Sequence, residues 1–366
     1  AGRVRPRLLE VLERVMSNIF KVVPWRRLVN VAKPFWVSEK RSDGFVHLVA
    51  ILALMGLNAI IAVFINKFAG LFMTAVESKN LADFYLFLFA WVAAFLLHTP
   101  VHVYYNFMRT RLALIWRKWL GEEFLTRYFS NEAYLRLTMK HEIDNPEQRM
   151  TQDVDSFCNS SVGLFMSILD ACVHVVTFMT VLWVISPSLS VTVMVYSTLG
   201  LVIVSAIGKS LVDLNNSQMM TEGGLRAGLT AARHNAHEIA CGGESSETEE
   251  LQKAKNNLNS VIETLLGIAL VNRRIQFFTT PFNLFVQLIP IVIVVPSYFA
   301  GEIPFGTITQ AAMAFGAVFN GATVLIGQFN GITHYAAITN RLGSLAEAME
   351  RSQEMETEKV ETAKAV

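Results

Sequence analysis

Charge is what this 366-residue sequence has least of. Asp, Glu, Lys and Arg together make up 17% of it, against about 25% in soluble domains. With 52% hydrophobic residues and a mean hydropathy of +0.39, the deficit excludes an ordinary soluble globule and indicates several membrane spans. A net charge of +1 leaves no field for nucleic acid. The three cysteines, Cys158, Cys172 and Cys241, show neither metal spacing nor a disulfide framework; Cys172 reads as a small apolar packer. A phosphate-binding loop is missing. Gly208-Lys209-Ser210 has Ile203 where the leading glycine is required, and it ends an apolar segment instead of following a strand. No dinucleotide fingerprint or nucleophile elbow occurs, so no catalytic residue, metal or cofactor is assigned, and the chain is expected to hydrolyse no ATP by itself. No secretory signal is visible. The chain begins at Ala1 with the basic run Ala-Gly-Arg-Val-Arg-Pro-Arg, which suits the junction left by a removed organellar transit peptide.

What is present is apolar sequence in long blocks. Six segments, near 46–76, 83–108, 161–186, 188–208, 277–300 and 307–333, can each cross about 30 Å at about 1.5 Å per residue. Backbone groups find no water in a bilayer, so each must be a helix. All Lys and Arg except Lys67 and Lys79 fall before the first segment, between segments two and three, between four and five, or after six. The positive-inside rule then places both termini and the two long loops in the cytoplasm or its equivalent, such as a stroma. Those loops, 109–160 and 209–276, are not loop-like. Leu112, Trp119, Leu120 and Phe124 in the first, and Leu251, Leu258, Val261 and Leu265 in the second, recur at helical spacing. The spans therefore continue as helices well beyond the membrane.

Three regions follow. Residues 1–45 carry an amphipathic stretch (Leu8, Leu12, Val15, Ile19) suited to a membrane surface or to the chain's own helices, then Trp25, Phe35 and Trp36 among basic residues, as in a headgroup belt. Residues 46–345 hold the six spans. Residues 346–366 read as a polar linker or tail.

The polar stretch Ile143–Val154 precedes the third span. Asp144 or Asn145 can cap a helix with Pro146 at its first position and Glu147 in the first turn; spacing alone favours an ordinary loop and cap. Inside the spans, ionisable groups are costly and tend to face a bundle interior. Asp170 and His174 share a face at i,i+4 and could bind a polar substrate group, relay protons or simply satisfy each other. His98 and His102 flank Pro100; they could ligate a metal, although packing or an interfacial role suits them better. Pro281, Pro290 and Pro296 predict a kinked fifth span.

Two strings carry a resemblance. Asn145, Pro146, Glu147, Gln148, Thr151 and Asp153 resemble the Asn-Pro-Asp-Gln…Thr-x-Asp stretch of ABC-transporter membrane domains of subfamily D. That group includes peroxisomal fatty-acyl-CoA half-transporters, cyanobacterial relatives and, more distantly, SbmA/BacA-like peptide transporters. Glu222, Arg226, Arg233, Asn235, Glu238, Ile239, Ala240, Gly242, Gly243 and Glu247 resemble the family's string between spans four and five. His237 stands where the family has Glu, and Cys241 alone replaces a Phe-Tyr pair. The resemblance covers residues 30–345. It implies an exporter-type (type IV) fold with an elbow helix before the first span, and a homodimer or hetero-oligomer of twelve spans in the bilayer. It implies coupling of both strings to a nucleotide-binding domain, a separate ATPase subunit included, with ATP and Mg bound only there. Transport of a fatty-acyl or peptide substrate by alternating access would follow. Two alternatives stay open: a transporter fold serving as a structural subunit of a larger, possibly chloroplast, membrane complex, and a proton-driven carrier resting on Asp170 and His174.

Overall fold

The computed structural model describes residues 23–140 and 143–365. The amphipathic stretch expected over residues 1–22 lies outside them. Among the described residues the chain is helical throughout, with no strand. Helix α1 is Trp25–Val37, α2 Arg41–Glu77, α3 Leu81–Phe129, α4 Ala133–Lys140, α5 Val154–Ile185, α6 Pro187–His234, α7 Ala236–Cys241, α8 Gly243–Phe299, α9 Gly306–Gly327 and α10 Phe329–Ala365. Five helical stretches among the described residues are long and apolar enough to span a membrane: Arg41–Glu77, Leu81–Met139, Pro146–Ile185, Pro187–Gly208 and Gly243–Phe299. Helix α9 matches the sixth apolar segment but stops at Gly327, and α10 begins one residue after Gln328. The apolar pattern runs past this break, which follows a weak helix former.

The extensions expected beyond the membrane are present. Helix α3 runs 49 residues, α6 48 and α8 57. Helix α8 is continuous through Pro281, Pro290 and Pro296. Neighbouring helices and local adjustment can absorb the lost N–H groups.

The chain forms two compact units. Among the described residues, one comprises 23–193 and 289–365, the other 194–288. In the first, the apolar core lies where α1, α3, α5 and α10 meet. Phe35 stacks on Trp116 at 5.4 Å, Trp116 meets Phe157 edge-on at 5.7 Å, and Phe157 stacks on Tyr335 at 5.5 Å. Each ring comes from a different helix, so one aromatic column ties α1 to three long helices; such pairs add about 0.5–1.5 kcal/mol each beyond their area. Leu342, Leu345, Ala348 and Met349 complete this core. The segment expected as a polar linker after residue 345 is thus helical to Ala365, and Ala348 and Met349 in its first turn are buried. At the other end of α2, Asn66 Nδ2 donates to the Gln310 carbonyl at 3.0 Å and the Gly306 N–H to Thr74 Oγ1 at 3.0 Å. A side chain on Gly306 would collide with the Gly70 carbonyl. Small residues let these backbones touch, as membrane helices require when packing replaces the hydrophobic effect. Outward faces stay apolar: Phe89, Leu96 and Val103, seven residues apart on α3, are all exposed, as suits hydrocarbon.

The second unit is an antiparallel pair. Tyr196 stacks flat on Phe282 at 4.0 Å and donates its hydroxyl proton to the Phe282 carbonyl at 2.7 Å. Beyond it, Gly267 lies close to Leu214 and Gly228 to Asn257.

Candidate functional site

The first string builds a knot where α5 begins. Pro146 takes the first helical position, as expected. Asn145 precedes it in the left-handed region (φ 47°) without a side-chain cap bond. Its carbonyl instead accepts from the N–H groups of Gln148 and Arg149. The cap is therefore made by backbone geometry, which Asn tolerates better than most residues. Residues Arg149–Asp153 form a π-helical turn, a local widening that recurs at functional sites. Thr151 donates to the Glu147 carbonyl at 2.7 Å, and Gln148 to Gln152 at 3.2 Å.

The turn aims Arg149 and Asp153 at α10. Arg149 donates from Nη1 to the Arg341 carbonyl at 3.0 Å and to Ser344 Oγ at 2.8 Å, and from Nε to the Asp144 carbonyl at 3.0 Å. Asp153, 6% exposed, pairs through Oδ2 with Arg341 Nε at 2.9 Å. The N–H does not point along that line, so the oxygen lacks a well-directed hydrogen bond. Asp153 precedes the apolar segment 161–186. Burial pushes its carboxyl above the ordinary range, against the opposing pull of Arg341, Arg149 and His334. Asn145, Glu147 and Thr151 stay on the surface. The string thus has an outer face free for a partner and an inner face anchored to the helix after α9. Sequence reading picked out neither Arg149 nor Arg341. Arg149 lies inside the string but is not one of the residues that carry the resemblance, and Arg341 is 192 residues away with no spacing to reveal it.

The second string lies in the unit 194–288. Glu222 accepts from Gln218 Nε2 at 2.8 Å. Asn235 ends α6, its N–H donating to the Ala231 carbonyl while its own carbonyl accepts from Ile239. Gly242 closes α7, where a Cβ would meet Ser246 Cβ at 2.6 Å, and Gly243 follows at φ +67°. The pair turns the chain directly into α8, as its sequence suggested. Asn235 and Glu238, with Lys253 and Asn257 from α8, line a cavity of about 640 Å³. Arg226, Arg233 and Gly242 are exposed. His237, one of the departures, accepts or donates at 3.2 Å to Cys241 Sγ, the other departure.

The candidate pathway residues gather in the first unit. Helices α3 and α5 run antiparallel, so His98 faces the His174 level. His174 Nε2 lies 4.0 Å from Asp170 Oδ1. His98 stacks on His102 at 5.6 Å and is within electrostatic reach of His174. His102 Nε2 meets Asn106 Nδ2 at 3.0 Å. Tyr105, which the sequence reading passed over, lies in the field of Asp170. All four expected residues therefore share one polar seam. Among the described residues no group of three His, Cys, Asp or Glu side chains could hold a metal ion.

Comparison with known proteins converges on one family. Residues 33–299 match the ABC transporter transmembrane region 2. The chain is 29% identical over 328 residues to the ABC transporter D family member 2, chloroplastic, of Arabidopsis thaliana, covering 90% of this chain and 46% of that protein. It is 35% identical over 297 residues to an uncharacterized ABC transporter ATP-binding protein of Synechocystis, covering 80% and 44%. It is 24% identical over 216 residues to ATP-binding cassette sub-family D member 1 of Drosophila melanogaster, covering 57% and 30%. The chain thus spans less than half the length of these relatives. Its helices and this match make it an integral multi-pass membrane protein, and it belongs to the ABC transporter transmembrane region family, as a membrane domain of subfamily D type.

Proposed function

We propose that this chain is the membrane-spanning domain of a half-transporter that moves a lipid-like, fatty-acyl or peptide substrate by alternating access. Two copies, or one copy and a related chain, enclose the pathway. A nucleotide-binding domain drives it from the surfaces formed by Asn145, Glu147 and Thr151 and by the recess around Asn235 and Glu238, and ATP and Mg belong to that domain.

The knot between Arg149, Asp153 and Arg341 is the observation that carries this reading. A push on residues 145–148 reaches α5 directly and reaches α10 through three polar contacts of 3.0 Å or less. One surface thereby moves the start of α5 and the helix that follows α9 together. Rigid helices and interlocked polar groups transmit such shifts because packed interfaces have discrete arrangements. The seam of His98, His102, Asp170 and His174 supplies the polar part of the pathway.

Purification in mild detergent followed by mass spectrometry of the native assembly tests this. A homodimer, or a dimer carrying nucleotide-binding domains, is expected. A single copy held among unrelated membrane subunits would overturn it in favour of a structural role, the reading that the altered positions His237 and Cys241 favour.

A further inference from the structure

Arg109 sits where the apolar segment 83–108 gives way to charged helix. It makes one long hydrogen bond, Nη2 to the Gly163 carbonyl at 3.4 Å, and lies against Tyr105, whose ring centre is 5.4 Å from the guanidinium carbon and whose hydroxyl is within its reach. Among the described residues no carboxylate pairs with it. Asp155, the acidic side chain one helical turn before Asn159, is engaged by Arg117 at 3.1 Å. A guanidinium carries five N–H donors, so most of its capacity is unused.

That capacity faces open space. Asn106, Arg109, Thr110, Asn159 and Gly163 line a cavity of about 280 Å³ between α3 and α5. A Cβ built on Gly163 meets nothing within 4 Å. One turn along α3 from Arg109, Tyr105 is 3% exposed and its hydroxyl has no well-directed hydrogen-bond partner. A half-buried cation without a counterion is incomplete, and the buried hydroxyl beside it interacts with that same cation and supplies no counter-charge. Beside the cavity, Leu96, Val103 and Phe107 fall on one exposed stripe of α3 that runs back into the apolar segment.

We propose that this cavity binds the phosphate of an anionic bilayer lipid. Arg109 holds the phosphate oxygens by charge-assisted hydrogen bonds, and the acyl chains lie along the stripe of Leu96, Val103 and Phe107. An anion is favoured because the cavity presents a cation and no acid. A lipid is favoured over a free ion because the apolar stripe adjoins the cavity and would otherwise contribute nothing to binding. Basic recesses at the charged end of membrane helices suit such headgroups. The site is independent of whether the chain transports anything.

The test uses the whole chain reconstituted in vesicles of equal phosphatidylglycerol and phosphatidylcholine. The protein is re-extracted in mild detergent, and its retained lipid is counted by mass spectrometry. Titration with fluorescent phosphatidylglycerol then gives the affinity. Wild type is expected to retain phosphatidylglycerol and shed phosphatidylcholine. Arg109→Gln should weaken phosphatidylglycerol by about tenfold or more, the loss of at least one charged hydrogen bond. Arg109→Lys should keep most of the affinity. Gly163→Leu fills the cavity, improves helix propensity and leaves Arg109 in place; it should weaken binding as much as Arg109→Gln. If Arg109→Gln fails to fold, Gly163→Leu alone decides. Equal retention of both lipids by wild type, or unchanged affinity in Gly163→Leu, would overturn the proposal. Inorganic phosphate that displaces the lipid at millimolar concentration would show a free-ion site and overturn the lipid assignment.

Discussion

Asp153 shows how one side chain can hold two helices. It is buried, its partner Arg341 is more exposed, and their contact is short but poorly directed. Removing the cation leaves a desolvated carboxylate, so Arg341→Met should destabilise the protein by about 1–3 kcal/mol. Adding Asp153→Asn should recover part of that loss, because the charge that needed a partner is gone. Thermal unfolding of the single and double variants in detergent measures both; strictly additive effects would contradict the contact. Gly243 makes a different kind of claim. Its φ of +67° costs an L-residue about 1–2 kcal/mol, so Gly243→Ala should loosen the α7–α8 turn. Hydrogen exchange over residues 236–250 should rise while α5 stays protected.

Between elements, α1 is fastened to α10 by a fork. Arg27 donates from Nε and Nη2 to both Glu347 oxygens, at 2.9 and 3.0 Å, and from Nη1 to Asn340 at 3.1 Å. Gly343 is where the arginine stem passes, since a Cβ there would meet its carbons at 2.7–2.8 Å. Hydrogen bonding to Arg27 holds the Glu347 carboxyl below its usual range. A depressed carboxyl contributes stability above its unfolded value, and that contribution disappears as pH falls through the folded one. The unfolding midpoint of Glu347→Gln should therefore lie below wild type at neutral pH and converge with it under acid conditions. The gap should be small, below about 1 kcal/mol, because the pair is partly exposed and screened. A gap that persists at low pH would show that the fork is not what ties α1 to α10.

For the whole molecule, the seam of His98, His102, Asp170 and His174 bears on transport. Asp170→Asn keeps shape and removes the charge beside His174. If the seam is the polar part of the pathway, substrate uptake into vesicles should fall about tenfold or more with the unfolding midpoint unchanged. Uptake equal to wild type would remove the seam from the pathway, leaving Asp170 and His174 as a self-satisfied pair.

The sequence by itself determined the helical class, the apolar segments, the extensions beyond them and the family, because each is written in local patterns. Hydrophobic runs and helical periodicity need only neighbours along the chain, and the string from Asn145 to Asp153 is contiguous. The Gly242–Gly243 turn was legible for the same reason. What only the tertiary structure decided depends on residues far apart. Arg149 finds Arg341, Arg27 finds Glu347, and Phe35, Trp116, Phe157 and Tyr335 stack across four helices; nothing in sequence separation marks these partners. Nothing in the sequence marks Arg109; it is α5 that places Gly163 beside it without filling the space. The buried first turn of α10 past residue 345 was hidden likewise: its few apolar residues are too sparse to fold alone, yet the core formed by α1, α3 and α5 gives each a place to be buried.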